Sequence, residues 1–308
     1  MRWVCGVLMA LAAGQGQAGI LAEGEDLRAI PFVVMDGKPM LPATVAGREG
    51  VMMFDIGTPS VVFLNRGAVD LAAGQVVGRG FAASGQEIVV QLHDGPDFAL
   101  AGVELALPAK VQSGDFSFAE VAFGADFLGF VGLPAVEDHA VLLDYGRQAL
   151  TVIRVDEAGV MALPAPEPLE VVADLPFLLF PEELPLMVGR IGEVPIQISL
   201  DSGDGGAAYL APDTRARLQA AGLLAEGATG LWELSGLTLG GALMPPTPVS
   251  LIEAGSAADG RPSGQPDELR LGAAFFAGQP TLWNFPARRL VLLRPDAAIL
   301  TAGQTDLR

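Results

Sequence analysis

Short apolar runs, many with alternating apolar and polar positions, fill most of the chain and are bounded by Gly, Pro, Asp and Asn. Residues 87–92 and 98–101 are examples, and runs of this length and period are typical of β-strands. The clearest helical pattern covers residues 212–221, and Gly222 follows its end. A weaker helix is expected over residues 65–73. The pattern as a whole predicts a mainly β protein.

One arrangement of apolar segments occurs twice, once in each half of the chain. Residues 51–64 and 196–210 share the order strand, Asp-x-Gly, short turn, strand. The two Asp-x-Gly segments are Asp55-Ile56-Gly57, followed by Thr58, and Asp201-Ser202-Gly203, followed by Asp204. A single Asp-x-Gly is an ordinary turn, so the flanking strands carry more information than the tripeptide.

A second shared block closes each half. Phe130-Val131-Gly132 in the first half corresponds to Arg270-Leu271-Gly272 in the second. An apolar strand follows each glycine, with Asp144 and Asn284 at the same distance beyond it. Agreement of order, spacing and flanking strands indicates an internal duplication.

A Pro-punctuated stretch at residues 156–170 separates the two copies and is predicted to be a linker. The expected organisation is an N-terminal lobe at residues 19–155 and a C-terminal lobe at residues 171–295. Residues 296–308 are expected to form a tail.

The N-terminus predicts export. An apolar run at residues 3–13 follows Met1 and Arg2, and small residues precede a cleavage position after Ala18. The run is shorter than the roughly 20 residues of a membrane-spanning helix. Residues 1–18 are therefore predicted to be a signal peptide of a periplasmic or extracellular protein. Cys5, the only cysteine, lies in this run, so the mature chain would have no thiol chemistry.

Charge narrows the range of partners. The chain has a formal net charge of −18, which disfavours binding to nucleic acid or to an anionic membrane surface. The sequence contains no His-Glu-x-x-His segment and no Gly-x-Ser-x-Gly segment, so neither a zinc peptidase nor a serine hydrolase of those types is indicated.

The duplicated Asp-x-Gly loops and the later apolar-apolar-Gly strands resemble the retropepsin-like aspartic protease family over nearly all of the mature chain. The resemblance implies two pseudo-twofold-related β-barrel lobes in one chain, a monomer, with Asp55 and Asp201 as the catalytic dyad. It also implies a peptide or unfolded-protein substrate and no metal or cofactor. The remaining implied site residues support the loops or pack behind them: Gly57, Thr58, Ser202 and Gly203 for support, Gly132 and Gly272 for packing.

Two carboxyl groups that contact one water molecule cannot both ionise at low cost, so the pair shares a proton. The ionised member can remove a proton from the water while the protonated member donates one to the scissile carbonyl oxygen. The resemblance therefore implies an aspartic endopeptidase that is most active at acidic pH.

Three positions depart from the family pattern. Ile56 stands where a Thr or Ser normally offers a hydroxyl to the opposite loop, and Arg270 stands at a normally apolar place. Asp204 is expected to raise the pKa of Asp201. A Gly-rich flap is predicted at residues 78–85, with a shorter counterpart within residues 230–241.

These departures leave two alternatives to an active peptidase. One is a catalytically weakened or inactive protein of the same fold that binds peptides or serves envelope assembly. The other is a structural β module whose two Asp residues only close turns, in which case their carboxylates would lie well apart.

Overall fold

The computed structural model describes residues 20–82, 85–179, 184–227, 230–255 and 268–302. The predicted signal peptide and its cleavage site lie outside these residues, so export stays a prediction. Within the described ranges, no helix combines the length and the apolar character needed to cross a membrane.

Strands dominate the described chain. The first half contains β1 (Leu27–Pro31), β2 (Val33–Met35), β3 (Lys38–Val45), β4 (Arg48–Asp55), β5 (Val62–Asn65), β6 (Gln75–Phe81), β7 (Glu87–Asp94), β8 (Phe98–Leu100), β9 (Val103–Glu104), β10 (Lys110–Gly114), β11 (Phe127–Gly132), β12 (His139–Asp144) and β13 (Ala149–Arg154).

The second half contains β14 (Val171–Pro176), β15 (Leu186–Ile191), β16 (Val194–Leu200), β17 (Ala208–Leu210), β18 (Leu224–Glu226), β19 (Trp232–Leu234), β20 (Leu237–Leu239), β21 (Ala242–Leu243), β22 (Thr247–Leu251), β23 (Glu268–Leu271), β24 (Thr281–Asn284) and β25 (Arg289–Leu293). The helices are α1 (Glu120–Phe123), α2 (Pro212–Ala220) and α3 (Ala273–Ala277).

Each half forms one large sheet, and the two sheets have the same strand order. The first runs β6-β7-β10-β5-β11-β4-β3-β8-β9, with β2 paired to β3. The second runs β18-β19-β22-β17-β23-β16-β15-β20-β21. The parallel pairs also correspond, because β11 pairs with β4 as β23 pairs with β16, and β10 pairs with β5 as β22 pairs with β17. The protein therefore consists of two lobes of one topology.

A third sheet joins the lobes. Its order is β1-β13-β12-β24-β25-β14, so each half contributes three strands. The equivalent strands β12 and β24 pair with each other in antiparallel orientation, with Leu142 opposite Leu282. The register is symmetric about this pair, which lies on a pseudo-twofold axis.

Burial explains why β4 is a continuous apolar strand that ends in a carboxylate. Met52 and Phe54 point into the main core, whereas Met53, between them, belongs to a separate apolar cluster with Met40 and Phe116. A strand that is buried on both faces needs apolar residues at successive positions. Asp55 lies at the end of this strand, where one face opens.

The two helix predictions have different outcomes. The helix predicted over residues 212–221 is confirmed as α2. The helix predicted over residues 65–73 is wrong, because the chain there forms a turn. The Asn65 side-chain oxygen accepts the backbone N–H groups of Gly67 (3.1 Å) and Phe116 (3.0 Å). Asn and Gly at these positions favour a turn over a helix.

The predicted linker connects β13, next to the edge strand β1 of the joining sheet, to β14 at the opposite edge. A single bridge between Val155 and Met161 and a short 3-10 turn at Pro168–Glu170 give it local structure. The lobe boundaries drawn at residues 156 and 170 stay a prediction.

Candidate active site

The first loop, residues 55–58, follows β4 and holds the Asp55 carboxylate by two local hydrogen bonds. The Gly57 N–H donates to Oδ1 (2.8 Å), and the Thr58 hydroxyl donates to Oδ2 (2.7 Å). Thr58 is buried, and Asp55 is half-buried. Both carboxylate oxygens are thus bound from within the loop, which fixes the orientation of the carboxylate.

The second loop, residues 201–204, follows β16 and repeats part of this arrangement. The Gly203 N–H donates to Asp201 Oδ1 (2.9 Å), as Gly57 does in the first loop. Asp204 takes the place of Thr58, so the second loop has a carboxylate where the first has a hydroxyl. The two halves of the site are therefore similar in backbone and different in charge.

The two loops face each other at contact distance. A Cβ atom added to Gly57 would lie 2.9 Å from Asp201 Oδ1, and one added to Gly203 would lie 2.6 Å from Asp55 Oδ1. Each glycine is required because a side chain there would collide with the carboxyl group of the opposite half. The alternative in which the carboxylates lie well apart is wrong.

Ser202 links the halves beneath the two carboxyl groups. Its Oγ accepts the N–H of Ile56 (3.0 Å) and donates to the carbonyl oxygen of Phe54 (3.0 Å). Ser202 is 1% exposed, so these bonds lie in the interior. Ile56 has no hydroxyl group and cannot make the equivalent hydrogen bonds to the second loop. Its side chain packs in the main core instead.

Gly132 and Gly272 lie directly behind the loops, as the resemblance implies. A Cβ atom at Gly132 would be 2.4 Å from the carbonyl oxygen of Thr58, and one at Gly272 would be 2.5 Å from that of Asp204. Backbone hydrogen bonds tie each glycine to the strand that leaves the loop region, from Gly132 N–H to Val61 (3.0 Å) and from Gly272 N–H to Ala207 (3.1 Å).

The electrostatic surroundings of the two carboxyl groups differ. The pKa of Asp55 lies above its ordinary value of 3.8 because of burial, although hydrogen bonds from Thr58, Gly57 and Asp201 oppose the rise. The pKa of Asp201 lies well above its ordinary value of 3.8, because of burial first and then the charges of Asp204 and Asp55. The expectation that Asp204 raises the pKa of Asp201 is confirmed. Both carboxyl groups therefore bind a proton more readily than a free aspartic acid, and the charge of Asp204 raises the pKa of each.

Arg270 pairs with Asp204. Its Nη1 atom lies 2.9 Å from Asp204 Oδ2, and the side chains are 12% and 16% exposed, respectively. In the sequence these residues are two separate departures from the family pattern. In the structure each compensates the charge of the other. The sequence held one signal for this contact: the two residues have opposite charges and occupy the places that Thr58 and Phe130 occupy in the first lobe.

The raised pKa of Asp201 predicts how stability depends on pH. A carboxyl whose pKa is higher in the folded state stabilises the fold fully below about pH 4, and this contribution is lost as pH rises through the folded-state pKa. Asp201→Asn cannot ionise, so we expect it to be more stable than the wild type at pH 7 by about 1 kcal/mol or more, and equal to it near pH 3. Urea denaturation at both pH values, with the exposed Asp97→Asn as control, measures this. Equal stability at pH 7 would contradict it.

The predicted flap corresponds to the hairpin of β6 and β7 at the edge of the first sheet. Residues 83 and 84, at its tip, lie outside the described residues. Ala82 packs against the apolar cluster that contains Met53, two residues before Asp55 on β4. The equivalent hairpin of the second sheet is β18–β19, so the counterpart predicted within residues 230–241 overlaps it only at β19. Residues 237–243 form the separate hairpin β20–β21.

Comparison with solved structures identifies the fold. The crystal structure of aspartic proteinase from Irpex lacteus is 11% identical and matches over 90% of this chain and 99% of that chain, with a TM-score of 0.49. The crystal structure of Basic 7S globulin from soybean is 9% identical and matches over 90% of this chain and 97% of that chain, with a TM-score of 0.50. No family model and no curated protein matches the sequence.

At such low identity, the likeness to the soybean globulin shows the fold alone. Together with the sheet topology, it confirms the predicted fold class as a mainly β protein of two pseudo-twofold-related lobes in one chain.

Proposed function

We propose that the protein is an aspartic endopeptidase that hydrolyses peptide bonds with a water molecule activated by Asp55 and Asp201. The observation that carries the proposal is the close approach of the two loops, in which a Cβ atom on either glycine would collide with the opposite carboxyl group. Two half-buried carboxyl groups in contact, one with a strongly raised pKa, form an acid and a base within reach of one water.

The surroundings of the two groups support different roles. Asp55, with both oxygens hydrogen-bonded in its loop, is the ionised member that removes a proton from the water. The water oxygen then bonds to the scissile carbonyl carbon while Asp201 gives its proton to the carbonyl oxygen. As the C–N bond breaks, the leaving nitrogen takes up the proton that Asp55 had accepted, and the carboxyl product returns a proton to Asp201.

The site also supports a preference among substrates. Met53 shares the strand face of Asp55 because side chains two residues apart point the same way. It belongs to a cluster with Phe116 and Phe127, and Ala82 and Val90 of the β6–β7 hairpin pack against that cluster. The first-lobe side of the cleft should therefore favour apolar side chains of an extended peptide.

The test is hydrolysis of a chemically unfolded, alkylated protein by the purified protein between about pH 3 and pH 7, with new N-termini identified by mass spectrometry. We expect cleavage beside apolar residues at acidic pH and a decline as Asp201 loses its proton. Absence of new termini at every pH would refute the enzyme proposal.

A peptide-binding protein with weakened hydrolysis is the second candidate. It is favoured by Ile56, which cannot return the hydroxyl exchange made by Ser202, and by the extra charge of Asp204. Binding of an extended apolar peptide without turnover, measured by calorimetry and weakened by Gly203→Ala, would support this candidate over the first.

A further inference from the structure

Two charged residues in the second lobe stand where the first lobe has uncharged ones. Asp204 takes the place of Thr58 in the loop, and Arg270 on β23 takes the place of Phe130 on β11. The pairing registers agree with this equivalence, since Phe130 lies opposite β5 as Arg270 lies opposite β17. Both charged side chains are largely buried.

Asp204 is held both by its side chain and by its backbone. Arg270 Nη1 lies 2.9 Å from Asp204 Oδ2, and the Asp204 carbonyl oxygen accepts the N–H of Ala273 at the start of α3 (2.6 Å). In the first loop, the equivalent hydroxyl of Thr58 is instead bonded to the carboxylate of Asp55. The second loop is thus anchored outward to β23 rather than inward to its own catalytic candidate.

Neither charge would be tolerated easily without the other. A buried, unpaired carboxylate or guanidinium costs much more than the Thr or Phe that the first lobe uses at the same places. The pair as a unit leaves a negative charge beside Asp201 and a positive charge behind it. No charged pair occupies the equivalent places of the first lobe, although the charge of Asp204 also raises the pKa of Asp55.

We infer that the Asp204–Arg270 ion pair is a positioning element that makes Asp201 the proton-bearing carboxyl of the pair, with Arg270 setting the upper pH limit of activity. The kinetic part of this inference rests on the proposed function. The electrostatic part does not, because it concerns only where the shared proton resides.

Several other titratable groups face the ion pair, and each has its own contacts. Asp201 and Asp55 approach it from the two loops. Glu268 on β23 accepts the Ser199 hydroxyl (2.7 Å), and the Tyr209 hydroxyl on β17 accepts the N–H of Gly206 (2.7 Å). The Nζ atom of Lys38 lies 2.8 Å from the position of a Cβ on Gly205 and bonds Asp36 (2.8 Å).

Changes to the two members of the pair should act in opposite directions. Asp204→Thr removes a negative charge near Asp201 and leaves the positive one, so Asp201 should lose its proton at lower pH. Arg270→Met removes the positive charge, so Asp201 should keep its proton to higher pH. We expect the alkaline limb of the kcat/KM pH profile to move by about one pH unit or more, to lower pH in Asp204→Thr and to higher pH in Arg270→Met.

The experiment compares Asp204→Thr, Arg270→Met, Arg270→Lys and the double change Asp204→Thr with Arg270→Phe, which copies the first lobe. Arg270→Lys keeps the charge and should retain the wild-type limb. The exposed pair Asp174 and Arg289 (2.7 Å) supplies the control variant Arg289→Met. A second readout needs no activity. The unfolding free energy of each variant is measured over pH with and without Asp201→Asn. The pH dependence of the difference reports the proton affinity of Asp201.

Opposite shifts of the two single variants in both readouts would support the inference. The inference would be overturned if the variants lost stability while the alkaline limb of kcat/KM and the proton affinity of Asp201 stayed unchanged. A pair with only a structural role would behave in that way. If the protein cleaves nothing but the proton affinity shifts, the proposed function fails and the electrostatic assignment holds. If Arg270→Met does not fold, Asp204→Thr and the double variant decide, since Asp204→Thr leaves Arg270 near the charge of Glu268 and the double variant removes both charges.

Discussion

Replacing Asp55 or Asp201 by Asn is expected to lower kcat/KM for an unfolded protein substrate by about 10³-fold or more. Each carboxyl is assigned a proton transfer, and an amide can neither accept the proton of the water nor supply an acidic one. The backbone hydrogen bonds survive, because the Asn side-chain oxygen can still accept the N–H of Gly57 or Gly203, and at position 55 the Thr58 hydroxyl can accept from the Asn amide. The loss should therefore be chemical and not a consequence of unfolding.

The two substitutions should differ in size. An Asn at position 201 can still donate a hydrogen bond toward the scissile carbonyl oxygen, whereas an Asn at position 55 leaves the water without a base. We expect Asp55→Asn to retain less activity than Asp201→Asn, in steady-state assays near the pH optimum. Asp97→Asn, on an exposed side chain, should behave as wild type. Hydrolysis that survives both dyad changes would eliminate the mechanism.

The duplication could be predicted because short sequence patterns repeat in the two halves. The apolar runs before Asp55 and Asp201, and the glycines at 132 and 272, recur in the same order at similar spacing. The joining sheet is different, since β12 and β24 come from opposite halves and pair across the pseudo-twofold axis. No local pattern specifies such a partner, so the sequence indicated the strands but not their pairing.

The charge arrangement at the site could be predicted only in part. Asp204 beside Asp201 is a neighbour in sequence, so its effect on the pKa followed from proximity alone. Arg270 lies 66 residues further along, and its contact with Asp204 depends on the parallel pairing of β16 and β23. In the sequence, Arg270 was a charged residue at a normally apolar place. The structure makes it the partner of the other unexpected charge.

The helix expected after β5 failed for a similar reason. A short segment with helical periodicity competes with a turn, and the competition is decided by contacts that are distant in sequence. Here the Asn65 side chain also donates to the carbonyl oxygen of Phe127 (2.9 Å) on β11. The same side chain accepts the N–H of Gly67, so a contact with a distant strand holds the group that closes the turn.

Substituting Gly203 by Ala should lower kcat/KM by about 10²-fold while the protein stays folded. The new Cβ would lie 2.6 Å from Asp55 Cγ and Oδ1, closer than carbon and oxygen atoms can approach. Asp55 cannot yield freely, since Gly57 and Thr58 hold both of its oxygens. The collision must therefore move the loops apart, and the two carboxyl groups no longer share one water.

The companion Gly57→Ala should show a smaller loss, because its Cβ would meet Asp201 Oδ1 at 2.9 Å and the flexible Leu184 side chain at 3.0 Å. Gly146→Ala, in an exposed turn where the nearest atom is 3.3 Å away, is the control for adding a methyl group to a glycine. Steady-state kinetics and thermal unfolding of all three variants separate activity from stability. A Gly203→Ala variant with wild-type kcat/KM would mean that catalysis does not require the close approach of the two loops, and the dyad would then lose its structural basis.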